Sequence, residues 1–342
     1  MRGKNLYLCL GNVYNFQTYI PIINAAKKQQ INCFLVLFVD HPGRKLKTFP
    51  AVHPIRHQEY IKNLCNSLGI TFLIDEPKNL DLNGDIIFTE RRGLNNLQSH
   101  HNVKIHILTR LLDFINPNWY SYYHAQAKNI FFTSKHIAIN YGKHTEKNRY
   151  IGSPKYDTNF VKEDIIKKLN LDPKHKYITV IYPDDQFRPR FKLDSLIEKI
   201  TQSGYFALVK GRDSNSGFNK DRVINNCKLI HDDYFFPNPT MDLISISDMV
   251  FNFNSTAVEE CVFLETPFIN FSDRAPPMYC IYDPSYALNL PLDFEIENIH
   301  SVVDSFLKSD FKSNIRQAKL KWFKEIHNSS EKLLQIIFNE EA

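Results

Sequence analysis

No apolar run in this chain of 342 residues approaches the ~18 residues that a membrane-spanning helix needs. Mean hydropathy is -0.35, and no transmembrane helix is expected. Cysteine is sparse. Cys9, Cys33, Cys65, Cys227, Cys261 and Cys280 are scattered, with no CxxC pair. Most sit inside apolar runs, the setting of reduced core thiols in a cytosolic protein and not of a disulfide framework. GxSxG, the Walker A loop, the Rossmann GxGxxG, HExxH and paired Cys/His zinc spacings are all absent. Serine hydrolase, ATPase, dehydrogenase and zinc-enzyme readings therefore lack a motif. Charge of one sign is lacking too: 42 basic residues face 37 acidic ones, a net +5. That mild excess suits a phosphate-bearing substrate or an anionic membrane surface nearby, and gives no basis for nucleic acid binding. The first residues, MRGKNLYLCLGNVYNF, have an apolar run too short for a signal peptide, broken at Gly11 and Asn12. They read as a first β-strand of a cytoplasmic protein, with peripheral contact at the inner membrane face left open.

What is present is alternation. A chain this long is expected to form two cores. In the first half, strand-like runs (Leu6 to Leu10, Cys33 to Val39, Thr71 to Ile74, Asp85 to Phe88, Lys104 to Leu108, Asn129 to Phe132) alternate with helix-like ones (Phe16 to Lys28, Tyr60 to Leu68). The pattern resumes with strands at Tyr177 to Tyr182, Tyr205 to Lys210 and Lys228 to Ile230, and helices at Leu193 to Ile200 and Met241 to Ile246. Short links between such elements predict parallel sheets with helices on both faces, an α/β fold. From Asn298 onward helical periodicity dominates.

Ile244 to Phe271, ISISDMVFNFNSTAVEECVFLETPFINF, carries the most information. It predicts a strand at Met249 to Phe251, a polar turn from Asn252 to Thr256, a helix through Val258, Cys261 and Val262, and a strand after Pro267. Ser255 or Asn254 is placed to cap the helix. A helix start just after a strand end suits a phosphate. Glu259 and Glu260, about one turn in, could accept ribose hydroxyls or be a solvated acid pair. At the end of another expected strand, LVKGRDS places Lys210, Gly211 and Arg212. Their cations could neutralise a diphosphate while Gly211 lets the backbone come close. Tyr182, Asp184 and Arg188, in YPDDQFRPR, are candidate loop contacts. The adjacent Asp184-Asp185 pair is not taken as a metal site.

The Ile244 to Phe271 order, with an acid seven residues before a proline (Glu260 to Pro267), resembles the nucleotide-binding segment of GT-B-fold enzymes. These include sugar-nucleotide-dependent glycosyltransferases, UDP-N-acetylglucosamine 2-epimerases and CDP-glycerol glycerophosphotransferases. That family usually has glycine two residues before the proline, where this chain has Glu265. RYIGSPKYDTN, Arg149 to Asn159, resembles the segment that closes the first domain of such enzymes. The resemblance implies two Rossmann-like domains facing a cleft, at 1–157 and 158–315, with a helix in 316–342 returning to the first domain. It implies ribose and phosphate binding by Asn254, Ser255, Thr256, Glu259, Glu260, Lys210, Gly211 and Arg212. Gly11 and Asn12 would lie in a cleft loop. A catalytic base from the first domain is sought at strand ends: Asp40, His41 and Glu90, with His106 beside them.

The implied function is transfer of a sugar from a nucleotide-activated donor, itself a substrate and not a cofactor, to a glycan or lipid-linked acceptor in surface polysaccharide or glycoconjugate synthesis. No metal or other cofactor is expected. The alternatives are a CDP-glycerol-type polyol-phosphate transferase, a sugar-nucleotide 2-epimerase or hydrolase, and a non-catalytic nucleotide-sugar-binding protein. The first strand ends in GNVYN where epimerases carry a GTRPE-like motif, which counts against the epimerase.

Overall fold

A computed structural model describes residues 4–39, 53–89, 97, 101–109, 126–141, 146–182, 192–211, 223–230, 239–253, 255–272, 283–323 and 328–339. The chain divides into two compact units, one of residues 1–158 with 323–342, the other of 159–322.

The first unit is built on a seven-stranded sheet in the order β3-β2-β1-β4-β5-β6-β7. Its strands are β1 (Asn5–Cys9), β2 (Asn32–Phe38), β3 (Thr71–Asp75), β4 (Asn83–Phe88), β5 (Asn102–Leu108), β6 (Asn129–Phe132) and β7 (Asn148–Tyr150). Every neighbouring pair is parallel. The central strands are continuous apolar runs because helices and loops cover both faces; the edge strand β3 is only half-buried. All of these strands except β3 begin with asparagine. Its short amide suits the strand start, where lateral bonds run from Asn32 Nδ2 to Asn5 Oδ1 at 3.3 Å and from Asn102 Nδ2 to Asn83 Oδ1 at 3.3 Å. Gly84 is required where β4 meets β1, since a Cβ there would lie 2.6 Å from the Asn5 carbonyl oxygen.

Helix α1 (Phe16–Lys28) follows β1, and α2 (Gln58–Ser67) precedes β3. α1 buries Phe16, Tyr19, Ile20, Ile22, Ile23 and Ala26. The short α3 (Lys135–Tyr141) follows β6, and the sequence reading did not anticipate it.

The second unit carries a six-stranded parallel sheet, β10-β9-β8-β11-β12-β13. Its strands are β8 (Tyr177–Ile181), β9 (Phe206–Lys210), β10 (Cys227–Ile230), β11 (Met249–Asn252), β12 (Phe268–Phe271) and β13 (Ala287–Leu290). β13 was missed from sequence because Ala287-Leu288-Asn289-Leu290 has neither β-branched nor aromatic residues. Its helices are α4 (Lys162–Lys168), α5 (Leu193–Gln202), α6 (Thr240–Ile246), α7 (Val258–Phe263), α8 (Ile299–Lys308) and α9 (Phe311–Trp322). One core joins the inner faces of β8, β9, β11 and β12 to Leu196, Ile197 and Ile200 of α5 and Ile299 and Val303 of α8. A smaller one joins Ile165 and Ile166 of α4 to Tyr177, Leu208, Leu243 and Ile246.

Where one helix is expected in 316–342, the chain forms the end of α9 and a separate last helix. α9 ends at Trp322 and stays with the second unit, where Lys319 Nζ meets the Glu265 carboxylate at 2.9 Å. The return to the first unit thus begins at Phe323 and not at 316. The last helix, α10 (Ser329–Asn339), packs on α1 and on the 3-10 turn Pro154–Tyr156. Asp157 holds its start: Oδ1 accepts the Ser329 N–H at 2.9 Å and Oδ2 the Ser330 N–H at 2.6 Å. That is the physical role of the acid in RYIGSPKYD. Tyr156 meets Phe323 edge to face at 5.3 Å.

The described cysteines are unbridged thiols, and burial encloses all of them except the half-buried Cys227. Burial pushes the Cys33 and Cys65 thiols up to about 12, with Lys27 opposing weakly at Cys33. Among the described residues no helix is long and apolar enough to cross a membrane.

Candidate functional site

Strand order reverses once in each sheet, between β1 and β4 in the first and between β8 and β11 in the second. In an open parallel sheet the connections diverge at that point, leaving a crevice outside the carboxyl ends of the two strands. The second crevice is bordered by Tyr182 after β8, Lys210 and Gly211 at the end of β9, Asn252 at the end of β11, and the turn into α7. The first is bordered by Gly11 and Asn12 after β1 and Thr89 after β4.

Asn252, fully buried, organises the turn. Its Nδ2 donates to the Ser255 carbonyl at 3.2 Å and to Asn270 Oδ1 at 2.8 Å, and Asn270 Nδ2 donates to Asn289 Oδ1 at 2.9 Å. The in-register pairs Asn252–Asn270 and Asn270–Asn289 line these amides up across β11, β12 and β13. Sequence reasoning missed this ladder. The signal was there: asparagine is a poor strand former, yet one stands inside each of the apolar runs MVFN, FINF and ALNL.

α7 starts where its apolar pattern begins, at Val258, later than a cap at Asn254 or Ser255 predicts. Its first cap position is Ala257, with no side-chain cap, and Ser255 Oγ accepts the Ala257 N–H at 3.4 Å. Ser255 therefore shapes the turn without capping the helix, and α7 is only 6 residues long. Thr256 is exposed, Glu259 half-buried and Glu260 buried at 6% exposure. The buried Cys261 thiol is raised well above its ordinary value, by burial first and by the Glu260 charge second. Beyond α7, the Thr266 N–H bonds the Cys261 carbonyl (2.9 Å) and the Glu265 N–H the Val262 carbonyl (3.2 Å), with Glu265 at φ +57. This is a Schellman stop, whose left-handed residue is most often glycine. Glycine would take this φ without strain, whereas Glu265 holds it at a cost.

Lys210 is 8% exposed, and its Nζ donates to the Gly211 carbonyl at 2.7 Å. The ammonium therefore stabilises the strand end as well as giving it positive charge. Tyr182 is half-buried, and its N–H bonds the Lys210 carbonyl at 2.9 Å.

In the first unit Asn12 has a structural task. Its Oδ1 accepts the Tyr14 N–H at 2.9 Å, and Asn15 Oδ1 accepts the Asn12 N–H at 2.8 Å, a reciprocal cap of the 3-10 turn Val13–Asn15. Tyr19 lies beneath the strand ends, its hydroxyl donating to the Cys9 carbonyl at 2.6 Å. His106 is not at a strand end facing solvent. It is sealed within the unit, Nε2 at 2.8 Å from Asp85 Oδ1 and Nδ1 accepting from Asn129 Nδ2 at 3.3 Å. At 0% exposure the ring cannot reach an acceptor hydroxyl, which removes it as a candidate base; the same burial holds its imidazole below the ordinary value against the pull of Asp85. Asp40, His41, Glu90, Asp184, Arg188, Arg212 and Asn254 lie outside the described residues.

No protein-family profile matches the sequence, and no curated protein matches it. Solved structures do match along the whole chain. One is assigned as a UDP-N-acetylglucosamine 2-epimerase from Listeria monocytogenes, at 12% identity and a TM-score of 0.66, covering 100% of this chain and 98% of that one. Another is the UDP-GlcNAc 2-epimerase of Methanocaldococcus jannaschii in complex with UDP-GlcNAc and UDP, at 13% identity, a TM-score of 0.59 and coverage of 98% and 99%. A third is the calicheamicin glycosyltransferase CalG4, at 10% identity, a TM-score of 0.57 and coverage of 100% of both chains. Likeness at this level of identity defines the fold: the chain has the two-unit α/β architecture of GT-B proteins.

Proposed function

We propose that this chain is a glycosyltransferase of the metal-independent GT-B type, acting on a nucleotide-activated sugar. The observation that carries the reading is the second sheet's crevice, where the buried Glu260, the tied turn Asn252 to Ser255 and the Lys210-Gly211 strand end border one reversal of strand order. In this reading Glu260 receives ribose hydroxyls, Ser255, Thr256 and Asn254 approach the phosphates, and Lys210, Gly211 and Arg212 balance their charge. Glu259 flanks the ribose contact, and Tyr182, Asp184 and Arg188 line the rim. Asp40 and His41, shortly after β2 in sequence, and Glu90, after β4, are the candidate bases that would deprotonate an acceptor hydroxyl. The donor is a substrate, no bound cofactor is invoked, and a glycan or lipid-linked acceptor completes the reaction.

The fold shared with 2-epimerases supports a second reading on the same nucleotide site, epimerisation without an acceptor. One experiment separates them. The pure protein is titrated with UDP-, GDP-, CDP- and CMP-sugars by calorimetry, and the products are analysed. Binding followed by slow donor hydrolysis, or by transfer once an acceptor is supplied, supports the transferase. An epimeric sugar nucleotide supports the second reading. No binding to any of the four series refutes both.

A further inference from the structure

We propose that Asn270 and Asn289 are positioning residues for the second unit's crevice: with Asn252 they form an amide row that holds the turn into α7 in the form that receives a nucleotide. This rests on the nucleotide reading and adds to it two residues that act without touching the ligand. The register places the row. Ile181 pairs with Lys210, Phe251 with Val180, Asn252 with Asn270, and Asn270 with Asn289. One residue beyond the Phe251–Val180 pair, Asn252 stands level with Ile181. Lys210, Ile181, Asn252, Asn270 and Asn289 therefore form one line across β9, β8, β11, β12 and β13. Register partners share a face of the sheet, and residues alternate along each strand. Val209, Val180, Phe251, Ile269 and Leu290 flank this line and belong to the larger core. The line thus lies on the opposite face from that core, near the carboxyl ends of the strands.

The amides all donate in one direction. Asn252 Nδ2 bonds Asn270 Oδ1 at 2.8 Å and the Ser255 carbonyl at 3.2 Å, and Asn270 Nδ2 bonds Asn289 Oδ1 at 2.9 Å. A flipped Asn252 amide would set its oxygen against two acceptors, the Ser255 carbonyl and Asn270 Oδ1, so the row fixes its orientation. That orientation leaves Asn252 Oδ1 buried with no hydrogen-bond partner among the described residues, an unfavourable state. Apolar side chains would fill this layer without such a group, and a network with an open acceptor is less stable than an apolar one. Asparagine is also a poor strand former. Stability therefore does not account for three amides here; the tie to the Ser255 carbonyl does. It sets the turn from which α7 starts, with Glu259 and Glu260 in its first turn and no side-chain cap of its own. Asn289, half-buried on the edge strand, lies two strand spacings from β11, roughly 9–10 Å, so its effect on the turn passes through Asn270.

The test compares Asn270→Leu and Asn289→Leu with two controls, all shown to be folded by urea unfolding. Asn289→Asp keeps an acceptor for Asn270 Nδ2. Val303→Ala loosens the core on the other face of the sheet without touching the row. Affinity for UDP, GDP, CDP and CMP is measured by calorimetry, and native-state hydrogen exchange is followed at residues 255–258. Asn270→Leu should bind the preferred nucleotide on the order of tenfold more weakly and Asn289→Leu about threefold, the scale of a lost hydrogen bond. Both should exchange faster in the turn, and both controls should stay near native in affinity and in turn exchange. If native affinity persists in the two Leu variants, or Val303→Ala loses as much, the positioning role is overturned and the nucleotide reading stands. If the native protein binds none of the four, the nucleotide reading falls, and exchange alone judges the row. Faster exchange at 255–258 in the Leu variants and not in Val303→Ala then upholds its hold on the turn, and unchanged exchange overturns it. Should Asn270→Leu fail to fold, Asn289→Leu on the edge strand decides by the same measurements.

Discussion

Replacing Asp157 by alanine tests how the chain's last helix is held to the first unit. The native carboxylate accepts two backbone N–H groups of the first turn of α10, at 2.9 and 2.6 Å. A hydrogen bond to a charged group contributes about 1.5–3 kcal/mol. Loss of an N-terminal cap costs about 0.5–2 kcal/mol, and a negative charge at a helix start adds about 0.3–1 kcal/mol. These are overlapping views of one interaction, so the expected loss for Asp157→Ala is about 2–3 kcal/mol. Asp157→Asn keeps one acceptor and turns an amide N–H toward the other backbone donor, so it should cost roughly half as much, about 1–1.5 kcal/mol. Against this stand the buried Leu333, Leu334 and Ile337 of α10. At about 1.5–3 kcal/mol each they contribute roughly 5–9 kcal/mol, an upper bound. Apolar burial outweighs the cap, so α10 should stay docked in both variants while its first turn frays. Urea unfolding gives the global loss, and native-state hydrogen exchange at residues 329–333 locates it. A loss below about 0.5 kcal/mol for Asp157→Ala, or unchanged exchange in that turn, would refute the reasoning.

Glu260→Ala should weaken nucleotide binding by about 1.5–3 kcal/mol; unchanged affinity in a folded variant removes Glu260 from the ribose. Lys210→Ala with Arg212→Ala should reduce nucleoside diphosphate affinity far more than nucleoside affinity, and equal losses for the two ligands would leave these residues a structural role only. Glu265→Gly relieves a left-handed residue costing about 1–2 kcal/mol but gives up the half-exposed pair with Lys319, at most about 1 kcal/mol, and adds chain entropy when unfolded. The net change should be between neutral and about 1 kcal/mol stabilising by thermal or urea unfolding, and a clear destabilisation would contradict the Schellman account. Burial lowers the folded value of the His106 imidazole, while the unfolded imidazole titrates at about 6.5. Between the folded and unfolded values the unfolded chain binds more protons, so stability falls as pH drops below about 6.5 and levels off once the folded value is passed. His106→Gln should flatten unfolding free energy against pH in that window; an identical slope in native and variant would show that His106 is not the titrating group.

Much of the architecture was legible along the chain because it rests on local chemistry. Phe16–Lys28 and Asn129–Phe132 occupy the predicted bounds, and β8, β9, β11 and β12 read as continuous apolar runs because both their faces are covered. The turn and short helix before Pro267 were legible for the same reason, since helical spacing and proline act over a few residues. Tertiary structure alone decided what depends on distant partners. Asp157 became a helix cap through residues far along the chain, and Asn252, Asn270 and Asn289 became a ladder only when three strands fell into register. His106, one candidate base among several in sequence, was sealed between Asp85 and Asn129. A sequence records which groups a segment can bury or bond, but which distant group meets them is settled only when strand order and register bring the two together.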